Sequence, residues 1–154
     1  MQPKSNHTKI SSEMRSKVII QQVTWQAAEY QLRAVRTPVF IEEQFVTPEF
    51  EWDEIDASAV HLLAMYENQP IACLRIIHYE KIGRMAVIKH WRGIEVGAAL
   101  LLEAIGICKK HGSQSIYLSA QTHAINFYHK VGFKQISDEY CDVDIPHVDM
   151  RLDL

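Results

Sequence analysis

At 154 residues the chain has the size of one ordinary domain, long enough to bury a core without staples. Apolar residues make up 47% and charged residues 23%, and a net charge of −3 with no block of Lys or Arg argues against a nucleic-acid partner, which must be held through several neutralised phosphates. The three cysteines, Cys73, Cys108 and Cys141, are odd in number and far apart, so neither a disulfide framework nor a zinc site is expected and a reducing cytoplasm fits.

Taken in chain order, the stretch MQPKSNHTKISSEMRSK has no apolar centre and reads as a solvated tail over residues 1–16 rather than a secretory signal. A single domain then spans 17–154. No run reaches the roughly 18 apolar residues of a membrane helix. VIIQQV (18–23) is β-branched and short, a strand, and Thr24 can cap a helix from Trp25 whose Ala28, Leu32 and Val35 recur at helical spacing. Pro38 ends or kinks that helix, and VFIEEQ after it is read as a further helical turn. FVTPEFEWDEIDASA, with six acids and turn residues, is expected to be a loop or short helix on the surface.

HLLAMYE and IACLRIIHY flank Asn68-Gln69-Pro70 and predict an antiparallel hairpin, with IGRMAVI a third strand after Glu80-Lys81. Val96 to His111 makes a helix of about four turns that Gly112 can end. SIYLSA is a strand, HAINFYHKV a short helix stopped at Gly132, and strands are expected around FKQIS and HVDMRL. The order β-α-β-β-β-α-β-α-β-β is mixed α/β, with an antiparallel first half and one crossover helix.

HWRGIEVGAALLLEAIG (90–106) sets two glycines between a strand and a helix, where free N–H groups and the helix dipole favour an anion. Alone, the pentad is equally satisfied by a relaxed turn at Gly93 and close packing at Gly97. Three blocks together resemble the GNAT superfamily of N-acetyltransferases, specifically a bacterial-type branch of small stand-alone enzymes: KIGRMAVIKHWRGIEVGAALL, AQTHAINFYHKVGF, and VFIEEQ with the hairpin after it and HVDM near the end. The resemblance covers about residues 18–152.

It implies the GNAT fold, a mixed and mostly antiparallel sheet with splayed strands and flanking helices, and acetyl-CoA as co-substrate without a metal. The pantetheine arm would bond to the backbone of Met85, Ala86 and Val87. The diphosphate would lie on the turn Arg92, Gly93, Ile94, Glu95, Val96, Gly97 and Ala98. Gln121, Ala124 and Phe127 would line the arm, and the Tyr128 hydroxyl would face the thioester sulfur. A direct transfer in a ternary complex to a primary amine, on a small molecule or a peptide amino terminus, is the activity implied.

Glu95 stands where the family signature has a glycine. A positive φ there costs about 1 kcal/mol for a residue with a Cβ, and its carboxylate near a phosphate costs about 1 to 3 kcal/mol unless it finds solvent, Lys89 or Arg92. That departure motivates a second reading, a catalytically impaired acyl-CoA-binding or protein-interaction module. Glu43, His61 and His147 are candidates for the base and for substrate contacts. The acidic run Glu42 to Asp56 is either a solvated loop or a pocket for a cationic amine. Phe45, Phe50 and Trp52 are candidate anchors for an interface, with a homodimer the natural assembly.

Overall fold

The computed structural model describes residues 12–154, so the expected tail over residues 1–11 lies outside the described residues. Ser12–Ser16 forms a helical turn, α1, directly before strand β1 (Val18–Val23). Helix α2 (Trp25–Arg36) starts where Thr24 Oγ1 accepts the Ala27 N–H at 3.2 Å. Pro38 lacks the donor that an α-helix needs, and the chain answers by widening rather than stopping. Thr37–Glu43 is a π-helical stretch that buries Val39 and Phe40 and carries Glu43 at its end. A short helix α3 (Pro48–Glu51) and a 3₁₀ turn (Glu54–Ala57) follow.

The remaining elements are β2 (Val60–Tyr66), β3 (Gln69–Ile77), β4 (Lys81–Val87), α4 (Val96–Lys110), β5 (Ser115–Gln121), α5 (Ile125–Val131), β6 (Lys134–Gln135), β7 (Tyr140–Asp142) and β8 (Ile145–Asp153). They form one sheet in the order β1-β2-β3-β4-β5-β8-β6, with β7 also on β8. Every pairing is antiparallel except β4 with β5, which α4 joins as the crossover. Gly112 (φ +80°) and Gly132 (φ +113°) end α4 and α5 in left-handed backbone. The strand expected around FKQIS is only two residues long, and β7 was not foreseen: YCD has no apolar alternation to mark it.

Strands β2 and β3 are near-continuous apolar runs because helices cover both faces. Leu62, Ala64, Leu74 and Ile76 pack towards Leu100, Leu101 and Ala104 of α4. Leu63, Cys73 and Ala86 pack towards Ala28, Leu32 and Val35 of α2.

Arg75 breaks the apolar run of β3, and its burial corrects the reading of the acidic segment. Arg75 Nη1 meets Asp53 Oδ1 at 2.7 Å and Asp56 Oδ1 at 3.0 Å. Arg36, 1% exposed, reaches Glu51 Oε1 and Asp56 Oδ1, both at 2.8 Å. Arg84 adds Asp53 Oδ2 at 3.3 Å and the Phe50 and Glu51 carbonyls. Glu51, Asp53 and Asp56 are thus matched by three arginines, so they form neither a solvated loop nor a free acidic pocket. Stripping one partner from such a cluster leaves a buried charge, at about 3–5 kcal/mol. Trp52 belongs here too, stacked under Arg33 and Arg36 and against Trp25, whereas Phe45 and Phe50 are exposed.

Candidate active site

The site begins where two strands part. β4 pairs with β5 only at Lys81↔Tyr117 and Ile82↔Leu118. Beyond that, β4 bulges at Arg84 (φ +46°), where its register against β3 shifts between Cys73 and Arg75, and it leaves β5. Ile88 N–H donates to Ile71 O at 2.9 Å, so by alternation the peptide groups of Val87 and Met85 face away from β3, into the gap. The Ala86 side chain joins the α2-side core and contributes only backbone here.

The gap is closed at its base by α4 and α5. A Cβ on Gly97 would stand 3.2 Å from Met85 Cε, 3.5 Å from Val87 Cγ2 and 3.6 Å from Phe127 Cζ. Gly97 therefore lets the start of α4 approach β4 and α5 more closely than an alanine would. Tyr128 donates its hydroxyl across the gap to Met85 Sδ at 3.6 Å. Burial pushes its pKa up to about 12, so it is a protonated donor throughout the physiological range.

The turn after β4 uses left-handed backbone at Gly93 (φ +82°) and at Glu95 (φ +68°). Glu95 thus carries the strain that a glycine would avoid. No side chain caps α4, and its first internal backbone bond runs from Ala99 N–H to Glu95 O at 3.0 Å. The N–H groups of Val96, Gly97 and Ala98 are left as a donor set at the positive end of a fifteen-residue helix. Glu95 points its carboxylate away, 72% exposed, to Arg15 Nη2 at 3.0 Å. The sequence offered Lys89, Arg92 or water as its partner; α1 supplies it instead.

Arg92 is already engaged. Its Nε donates to Val87 O at 2.9 Å, and Nη1 and Nη2 grip the two oxygens of Glu43, each at 2.9 Å. The next residue, Gln44, exchanges amide bonds with Gln121 at 2.7 and 3.2 Å. Residues 43 and 44 are therefore pinned to both sides of the gap, a link that no sequence signal marked.

Residues 26–154 match the family model for an acetyltransferase (GNAT) domain. The chain belongs to the GNAT acetyltransferase family. It is 34% identical over 141 residues to YyaT of Bacillus subtilis, covering 88% of this chain and 95% of that one. The crystal structure of Escherichia coli ElaA superposes with a TM-score of 0.78 at 29% identity, over 87% of this chain and 98% of that one. A GNAT family acetyltransferase from Elizabethkingia anophelis, 18% identical with a TM-score of 0.64 over 90% and 99% of the two chains, shares the fold, and the structure of that protein has acetyl-CoA bound.

Among GNAT features, the parted β4 and β5 and the glycine turn lie together as the resemblance implied. The candidate histidines lie apart from one another. His61 is 1% exposed, its Nε2 on Asp56 O at 2.9 Å and its ring against Trp25. Burial holds its pKa below the usual value, with Arg36 and Arg75 adding to the effect against Asp56. It belongs to the ion-pair cluster. His147 pairs across from Gln121 in the β5–β8 register, so it stands at the mouth of the gap. Its Nδ1 lies 2.6 Å from the Ile145 carbonyl, which can only accept, so Nδ1 carries the proton and Nε2 the lone pair. Its ring stacks on Tyr140, whose hydroxyl bonds to Asp149 Oδ1 at 2.5 Å and to Ser119. Ala124 caps α5 without a side-chain bond, beside the same gap.

Proposed function

We propose that the chain is an N-acetyltransferase that moves the acetyl group of acetyl-CoA directly onto a primary amine, of a small molecule or an amino terminus, in a ternary complex. The observation that carries this reading is the gap between β4 and β5, with unspent peptide groups along one wall and three uncapped N–H groups at its end. Acetyl-CoA supplies an activated thioester when bound.

The residues divide the work as follows. The N–H groups of Val96, Gly97 and Ala98 hold the diphosphate, and the peptide groups of Met85 and Val87 align the arm. Val87 N–H is also the donor for the carbonyl oxygen, since its own carbonyl is engaged by Arg92. Tyr128 supplies a proton to the departing sulfur, and its bond to the Met85 thioether is the contact it must give up. His147 is the better base than Glu43. Both Glu43 oxygens are held by Arg92, whereas His147 Nε2 has a lone pair and no partner among the described residues. Glu43 is then a positioning residue that fixes Arg92 and, through it, the end of β4. Buried thiols at Cys73 and Cys108 suit a reducing cytoplasm.

The impaired-module reading depended on Glu95 obstructing the turn, and an outward carboxylate paired with Arg15 removes that motive. The test is thiol release from acetyl-CoA over a panel of primary amines and amino-terminal peptides, repeated with His147→Gln. Amine-dependent release that His147→Gln lowers at least tenfold supports the reading; coenzyme binding with no release on any amine overturns it.

A further inference from the structure

We propose that Arg15, carried by α1, is a further diphosphate-binding residue, and that Glu95 is the residue that holds it at the turn. The proposal rests on the coenzyme reading above and adds a ligand from outside the strand–turn–helix that the family signature describes.

The argument starts from a shortage. The guanidinium that the sequence offers to the phosphates, Arg92, has Nε on Val87 O and both terminal nitrogens on Glu43. Turning it to a phosphate would break a bidentate pair and release the end of β4. Arg15 is in the opposite condition. It makes one contact, Nη2 to Glu95 Oε2 at 3.0 Å, and among the described residues its Nε and Nη1 meet no partner. Its side chain is 47% exposed, beside the turn whose N–H groups are uncapped. A planar fork with donors to spare, next to a set of free N–H groups, suits a diphosphate.

The placement is built in. Met14 packs against the main core, and Lys17 N–H closes the turn of α1 on Met14 O at 3.1 Å. β1 begins at the next residue and pairs Val18 with Tyr66, whose ring lies 4.9 Å from Trp91. Trp91 immediately precedes the coenzyme turn. Arg15 is therefore fastened to the turn through the core as well as through Glu95.

This also answers why an acid stands where glycine is easier. Glu95 bears a left-handed backbone and brings a negative charge to an anion site. Paired with Arg15, it is neutralised, and the pair offers the diphosphate a net donor. An exposed pair of this kind adds little to stability by itself, so its effect is expected in binding.

The experiment is calorimetry of the full chain with three probes: coenzyme A, dephospho-coenzyme A and pantetheine. Arg15→Ala is expected to weaken the first two equally, by about tenfold, and to leave pantetheine unchanged. Arg15→Lys, which keeps the charge but not the fork, is expected to recover part of the loss. In a Glu95→Gly background the loss on removing Arg15 should shrink. Wild-type affinity for coenzyme A in Arg15→Ala overturns the proposal while leaving the coenzyme reading intact. A loss confined to coenzyme A, absent with dephospho-coenzyme A, assigns Arg15 to the 3′-phosphate and also overturns it. A wild-type chain that binds neither coenzyme probe sinks both the proposal and the reading beneath it.

Discussion

Two regions of the molecule use the same residue types for opposite ends. Around Asp56, three arginines and three carboxylates are withdrawn from water, and each charge is spoken for by a neighbour at 2.7 to 3.4 Å. Around Glu95 the charges stay at the surface, and the groups left without partners are main-chain amides. In the first region the side chains fix a loop and the backbone follows. In the second the backbone is the binding surface, and side chains such as Arg92 and Arg15 adjust its charge. Buried charges cannot change partners cheaply, whereas exposed ones can. Only the second region is therefore suited to taking up and releasing an anionic ligand.

The contrast is broken most forcefully from the buried side. Arg36→Ala leaves Glu51 and Asp56 facing each other in the interior, and unfolding free energy by urea titration should fall by about 3–5 kcal/mol. Turnover of the fraction that remains folded should stay near normal. A loss below about 1 kcal/mol would mean the cluster behaves like a surface pair and the two regions do not differ.

Tyr128→Phe is the converse. It removes one hydroxyl from the gap and none from the cluster. Turnover should fall about a hundredfold, with little change in melting temperature or in the KM for acetyl-CoA. Unchanged turnover would remove Tyr128 from the chemistry.

The smallest effect sharpens the boundary between the regions. His61 is part of the cluster, and its folded-state pKa lies below that of the unfolded chain because of burial. Below about pH 6.5 the unfolded chain takes up a proton that the folded chain refuses, so stability is full above that pH and declines as pH falls. Melting temperature should drop between about pH 6.5 and 5.5, and His61→Gln should flatten that part of the curve. An identical slope in the variant would assign the proton to another group.

The parts of the fold written in apolar spacing were legible: the β2–β3 hairpin, α4 with its glycine stop, and the crossover to β5. So was the coenzyme turn, because glycines at a strand–helix junction have a backbone reason to be there. What could not be read is what depends on charged residues going inside. Arg36, Arg75 and Asp56 look like surface residues in any linear pattern, and only tertiary pairing reveals otherwise. The hold of Arg92 on Glu43 was hidden for a related reason, since residues 49 apart in sequence leave no local trace of their meeting. Arg15 sits in a polar stretch with no periodicity, and nothing there marks its partner.

The π-helical stretch over Thr37–Glu43 has a consequence for how this protein tolerates length change. Its wider coil amounts to about one extra residue fitted into a helix. Deleting a single residue within it would restore ordinary winding and swing everything downstream by about 100°. Glu43 and Gln44 would then lose Arg92 and Gln121 together, although neither had been altered. Random single-codon deletion across this segment should therefore be far more damaging than substitution at most of the same positions.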